Sequence, residues 1–136
     1  MNLYDHALLE HNRHPRHFRA MADATFTGEA HNPLCGDQIA VYLRIDDGKV
    51  ADVSFQGKAC AVAVASASLM TLAVRGQSLD ELPALCRSVF AFLNGKTEAA
   101  PLDILTPLAR VRDYPVRIGC GELPWRAIQS VLRAQT

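Results

Sequence analysis

A strict two-residue alternation, closed by a tight turn and answered by a second apolar run, constrains this chain more than any other feature. Ile39, Val41, Leu43 and Ile45 alternate with polar or small residues, Asp46-Asp47-Gly48 supplies hairpin chemistry, and Val50, Val53 and Phe55 follow. Period two puts the apolar side chains of a strand on one face, and that face needs a covering layer. The sequence therefore predicts an antiparallel hairpin with Gly57 ending its second strand. Ahead of it, Ala24 to Ala30 is short-residued and Thr-rich, compatible with an extended segment that runs into the turn His31-Asn32-Pro33.

Helical spacing supplies the cover. Asn2 caps a predicted helix over Leu3 to Arg13, which Pro15 ends, so residues 1–20 read as an N-terminal helical arm. Ala61 to Val74 reads as a buried helix closed by Gly76, with Ala and Ser faces suited to packing on a sheet. Ser78 and Glu81 form a capping box ahead of Leu82, Leu85, Cys86, Val89, Phe90 and Leu93, which recur at helical spacing until Asn94-Gly95. A shorter helix is expected over Leu102 to Val111, entered or interrupted at Pro107, before Asp113-Tyr114-Pro115 turns the chain. The last helix is expected over Pro124 to Ala134, with Pro124 in its first turn and Trp125, Ile128, Val131 and Leu132 buried. Strands followed by helices indicate an α+β fold, a small antiparallel sheet of about three strands with helices packed on one face. At 136 residues the expectation is one domain over residues 1–136.

Charge narrows the function. Fourteen acidic and fourteen basic side chains cancel without forming blocks, so the composition argues against nucleic-acid and membrane partners. The longest uncharged run, Ala59 to Val74, is too short and too rich in Ala, Ser and Thr to cross a bilayer. The first residues lack the basic region and apolar run of a signal peptide, which predicts a cytoplasmic location. In a reducing compartment, four cysteines point away from disulfides and towards metal ligation, catalysis or plain burial.

Those cysteines divide by context. Cys86 falls in the apolar stripe, four residues from both Leu82 and Phe90, and reads as a core residue. Cys35 sits in Asn32-Pro33-Leu34-Cys35-Gly36-Asp37, an exposed loop held by Pro and freed by Gly; Cys60 lies between a strand and a helix; Cys120 lies between Gly119 and Gly121, shortly before the last helix. Helix N-termini carry positive potential, which favours thiolate over thiol, so Cys60 and Cys120 are placed to bind a soft metal or attack sulfur. Separations of 25 and 60 residues match no zinc ribbon or finger, so spacing alone leaves metal binding, an isolated reactive thiol and inert burial all open. Asp37 is either a fourth ligand, completing a tetrahedral Cys3Asp set, or a turn-former.

Four motifs in order resemble one family. Asn32-Pro33-x-Cys35-Gly36-Asp37, then Phe55-x-Gly57-x-x-Cys60 running into Ala65-Ser66-Ala67-Ser68-x-Met70-Thr71, then Arg117-x-x-Cys120-x-x-x-x-Trp125-x-Ala127, with Leu3-Tyr4 and His11-x-x-x-Pro15-Arg16 at the start, resemble the U-type proteins of iron-sulfur cluster assembly: IscU, NifU and above all SufU. Gly119 stands where IscU-type proteins carry a histidine, and the Cys60 to Cys120 interval is longer than in IscU; both departures favour SufU. Ala59 departs from the family's usual glycine. The resemblance implies Zn2+ held by Cys35, Asp37, Cys60 and Cys120, and sulfur taken from a SufS-like, pyridoxal-phosphate cysteine desulfurase whose docking frees Cys35 as the acceptor. Cys120 is the alternative acceptor. It also implies contact of Arg117 with that partner, a surface ion pair being the other reading, and passage of sulfur to a downstream assembly scaffold. Two rival functions use the same ligands: a scaffold for a [2Fe-2S] cluster and iron, and a binding module with purely structural zinc. His31 is a substitute ligand at most, and His6, His11, His14 and His17 read as surface or packing residues of the arm.

Overall fold

A computed structural model of the chain describes residues 6–33 and 36–134. Three strands, β1 (Phe26–Asn32), β2 (Asp37–Asp46) and β3 (Lys49–Lys58), form an antiparallel sheet in the order β1-β2-β3. Around it run the helices α1 (His6–Arg13), α2 (Ala61–Val74), α3 (Leu82–Leu93) and α4 (Pro115–Ala134), with 3-10 segments at Leu79–Glu81 and Asp103–Asp113. The fold is the α+β arrangement the alternation demanded. Ile39, Val41 and Leu43 of β2 and Val53 and Phe55 of β3 are all buried under the helical layer, and Val41 pairs with Phe55, Leu43 with Val53.

Elements with clean periodicity fall where the sequence places them, and the differences have local causes. β3 does not stop at Gly57 but continues to Lys58. Gly57 adopts φ +152 against the Gln38 carbonyl, a backbone setting and a closeness that leave no room for a side chain, so it lets the strand pass where a larger residue would end it. Ser78 makes no side-chain cap: its segment is drawn to the hairpin turn, where Leu79 N–H donates to the Gly48 carbonyl, and a 3-10 turn leads into α3 instead. The segment expected as a short α-helix over Leu102 to Val111 is 3-10 throughout, with Pro107 inside it.

The largest difference is α4. It begins at Pro115, nine residues before the expected start, and passes through Pro124. Both prolines suit a first helical turn, and the structure uses the earlier one. Pro124 then lies in the interior, where it gives no N–H to the Cys120 carbonyl, a loss tolerated because α4 is the central helix, packed on β1, α2 and α3. Its seat on β1 depends on Gly28, where a Cβ would stand 2.5 Å from the Ala127 carbonyl oxygen and 2.6 Å from Val131 Cγ2.

α2 is apolar on every side and accordingly buried. Its serines pack on helices, not on the sheet as expected. Ser66 Oγ donates to the Gly121 carbonyl of α4 at 2.6 Å; Ser68 Oγ lies 2.7 Å from His11 Nδ1 and accepts the Arg16 N–H at 2.8 Å. The N-terminal segment is thereby fastened along α2. Burial, with the Arg16 charge second, pushes the His11 imidazole below its ordinary range. Beyond Pro15 the chain straps the free edge of β3, with Arg19 N–H donating to the Phe55 carbonyl and Phe55 N–H to the His17 carbonyl.

Candidate metal centre

The two strands of the first hairpin bring one donor into place. Asn32, the last residue of β1, pairs with Asp37, the first of β2, and the Gly36 N–H closes the turn on the Asn32 carbonyl at 2.9 Å. Asp37 is thus anchored in the sheet instead of riding in a loop, with its side chain partly buried. Cys35 precedes it by two residues and lies outside the described residues.

The second donor comes from the junction of β3 and α2. Cys60 is the residue on which α2 starts, in an extended conformation at φ −67 and ψ 168, and its N–H donates to Asp37 Oδ2 at 2.9 Å. A carboxylate at a helix N-terminus is favoured by the exposed peptide dipoles, so Asp37 holds the start of α2 and stands beside the Cys60 thiol at once.

Cys120 supplies the third donor, from an unexpected position. It lies inside α4, 2% exposed, not in a loop before the helix. The potential of a helix N-terminus fades within its first turn, so Cys120 lies beyond its reach. Of the flanking glycines, Gly121 is a packing residue, where a Cβ would meet Val111 and Leu93 and whose carbonyl takes the Ser66 hydroxyl, while Gly119 is partly exposed.

Together, one oxygen of Asp37 and the sulfurs of Cys60 and Cys120 all lie within 4.8 Å of one another. Donors of a tetrahedral zinc site, with metal–sulfur bonds near 2.3 Å, stand about 3.8 Å apart, so this triangle fits Zn2+ after small side-chain adjustments. Two thiolates and a carboxylate also suit iron-sulfur chemistry. Among the described residues this is the grouping of His, Cys, Asp and Glu close enough to share an ion, and His31 is not in it.

The remaining candidates sort around this centre. Arg117 is exposed on α4, about one turn ahead of Cys120. Beside the site, His31, Asn32, Pro33, Pro115, Val116, Gly119, Leu123 and Arg126 line an open depression of about 560 Å³, with Val116 87% exposed at its rim. Cys86 is a core residue, as its spacing predicts: its thiol faces the Trp125 carbonyl, and burial pushes its pKa up to about 12. Sequence reasoning missed the polar support of α4. Glu122, 8% exposed, accepts from Asn94 Nδ2 at 2.9 Å and pairs with Arg126 at 2.8 Å, tying α4 to the end of α3. The only signal for it was the Glu122/Arg126 spacing on a helix that began too late in the sequence reading. No helix among the described residues is long and apolar enough to cross a membrane.

Residues 3–120 match the NifU-like N terminal domain. The chain is 30% identical to the iron-sulfur cluster assembly scaffold protein IscU of Thermotoga maritima, over 96% of this chain and 93% of that one. It is equally 30% identical to the zinc-dependent sulfurtransferase SufU of Bacillus subtilis, over 93% of this chain and 87% of that one. Among solved structures, the N-terminal part of a nitrogen-fixing NifU-like protein from Brucella abortus superimposes with a TM-score of 0.85 at 30% identity, covering 96% of this chain and 92% of the other.

Proposed function

This chain belongs to the NifU-like N-terminal domain family, the IscU and SufU proteins of iron-sulfur cluster assembly, and from that premise we propose that it is a zinc-dependent sulfur acceptor that takes persulfide sulfur from a cysteine desulfurase. The observation that carries the reading is the convergence of Asp37, Cys60 and Cys120, from three separate elements, within 4.8 Å. Inert cysteines have no reason to converge with a carboxylate. Cys35, two residues from Asp37, completes the donor set. Bound Zn2+ would keep its thiolate ligands deprotonated at neutral pH.

The chain's residues then divide the work. Asp37, fixed by the strand and by the Cys60 N–H, and Cys60 and Cys120, fixed by helices, stay in place. With Zn2+ bound by these residues, Cys35 would be the ligand freed for chemistry when the desulfurase docks. Its thiolate attacks the sulfane sulfur of the enzyme's persulfide; the enzyme's S–S bond breaks, a new S–S bond forms on Cys35, and the enzyme's cysteine departs as thiolate. Cys120 is a poorer acceptor because, at 2% exposure inside α4, it must first be uncovered. Arg117, exposed on α4 one turn ahead of Cys120, contacts the partner.

The scaffold reading, on which a [2Fe-2S] cluster is built on the same ligands, draws on equal identity to an IscU. Turnover of a cysteine desulfurase, measured with metal content on the same sample, separates the readings. Stimulated turnover with retained zinc, abolished by Cys35→Ser while part of the zinc stays bound, is the expected outcome. Unchanged turnover in Cys35→Ser removes Cys35 from the role. Cluster formation without stimulation favours the scaffold, and unfolding on zinc removal with no effect on the desulfurase favours structural zinc.

A further inference from the structure

The hydrogen-bond ladder of α4 is interrupted at the rung that belongs to a ligand. In a regular helix the Cys120 carbonyl would accept the N–H four residues on, and that residue is Pro124, which has none. Pro124 therefore removes one link between the part of α4 that carries Cys120 and the part that follows the proline.

One rung later, the Gly121 carbonyl receives a donor from outside the helix, the Ser66 hydroxyl at 2.6 Å, with both residues buried. Ser66 belongs to α2, the helix that starts at Cys60, and lies six residues from it, about 9 Å along a straight helix. A serine inside a helix commonly turns its hydroxyl back to its own preceding carbonyl; this one crosses to α4. A continuous chain of connections results. Asp37 holds the Cys60 N–H, Cys60 begins α2, Ser66 of α2 holds the Gly121 carbonyl, and Gly121 adjoins Cys120.

We infer that Ser66 is a positioning residue of the metal centre, a strut between α2 and α4 that sets the separation of the Cys60 and Cys120 sulfurs. The inference rests on the metal-binding reading above and deepens it. Ser68 provides an internal control. It is equally buried on the same helix, but its hydroxyl serves His11 and Arg16 of the N-terminal segment instead of α4.

The test compares Ser66→Ala with Ser68→Ala in the full chain; neither change adds an atom to the packed seams. Zn2+ affinity is measured by competition with a chromophoric chelator, the Co2+-substituted spectrum by absorption, and stability by thermal unfolding of the metal-free forms. Ser66→Ala should weaken Zn2+ binding about 10-fold, in the range typical when a group supporting metal ligands is lost, and should alter the Co2+ ligand-field bands. Ser68→Ala should lower the unfolding temperature and leave affinity and spectrum as in wild type. Equal effects of the two variants on affinity, or none from Ser66→Ala, overturn the inference. Wild type that binds neither metal sinks the metal reading separately. Ser66 is then tested by the rate at which a dithiol-specific arsenical bridges Cys60 and Cys120 in a Cys35→Ser background: slower bridging in Ser66→Ala alone supports the strut, and equal rates in both variants overturn it.

Discussion

Cys86 and Cys120 are both buried thiols on helices, 1% and 2% exposed, but their surroundings differ. Cys86 of α3 faces the Trp125 carbonyl, and burial, only partly offset by the Arg87 charge, holds it protonated well above the physiological range. Cys120 of α4 faces a second sulfur and a carboxylate oxygen. Burial alone therefore says nothing about whether a cysteine is inert. What decides is whether other donors share its pocket, and those donors come from elements far away in the chain.

The sharpest way to break this comparison is to remove each thiol in turn. Cys120→Ala should weaken Zn2+ binding more than about 100-fold, exceeding the effect of losing a supporting group, whereas Cys86→Ala should retain wild-type stoichiometry. Metal content after dialysis against a chelator reads the difference. Similar loss in both variants would mean that the two buried thiols are not distinct in role.

A smaller effect is expected from displacing α4 without touching either cysteine. Gly28→Ala drives a methyl group into Ala127 and Val131, past Pro124 from Cys120 and on the same side as Trp125, which Cys86 faces. Overpacking of this kind costs about 1–3 kcal/mol. Chemical denaturation should show that loss, while Zn2+ affinity stays within a few-fold of wild type; a collapse of affinity would show that α4 moves as one rigid piece through the proline.

The smallest effect is in pH dependence. The Cys86 thiol has its pKa raised from an ordinary 9.0 to about 12, so the folded state keeps a proton that the unfolded chain has released. Stability from this group is complete below about pH 9 and is lost as pH rises towards 12, with roughly 1 kcal/mol gone by pH 10. Metal-free Cys86→Ala should show a shallower alkaline decline than metal-free wild type in denaturation measured across that range. Parallel declines would place the alkaline sensitivity elsewhere.

The sheet and two of the helices were legible because their signals are local. Period two in Ile39 to Ile45 fixes a face, Asp47-Gly48 fixes a turn, and the Ala61 to Val74 run between Cys60 and Gly76 fixes α2. Of the four candidate ligands, Cys35 lies outside the described residues and the other three converge, but in two settings the sequence did not suggest: Asp37 is in a strand and Cys120 is within a helix. Gly119 and Gly121 looked like loop residues, and Pro124 looked like a helix start. A glycine in a helix that another element approaches closely has the same letter as a glycine in a turn, and only packing tells them apart.

By itself, then, the sequence determined the elements and the chemistry available: an apolar hairpin face that must be covered, and four cysteines of which one lies in an apolar stripe. Which thiols meet, and at what separation, was decided by tertiary structure. Residues 37, 60 and 120 are brought together by β1–β2 pairing, by the exit of β3 into α2, and by the packing of α4 on α2, where Ser66 meets the Gly121 carbonyl. Those contacts join positions tens of residues apart, and no local pattern in a chain encodes a distance between its distant parts.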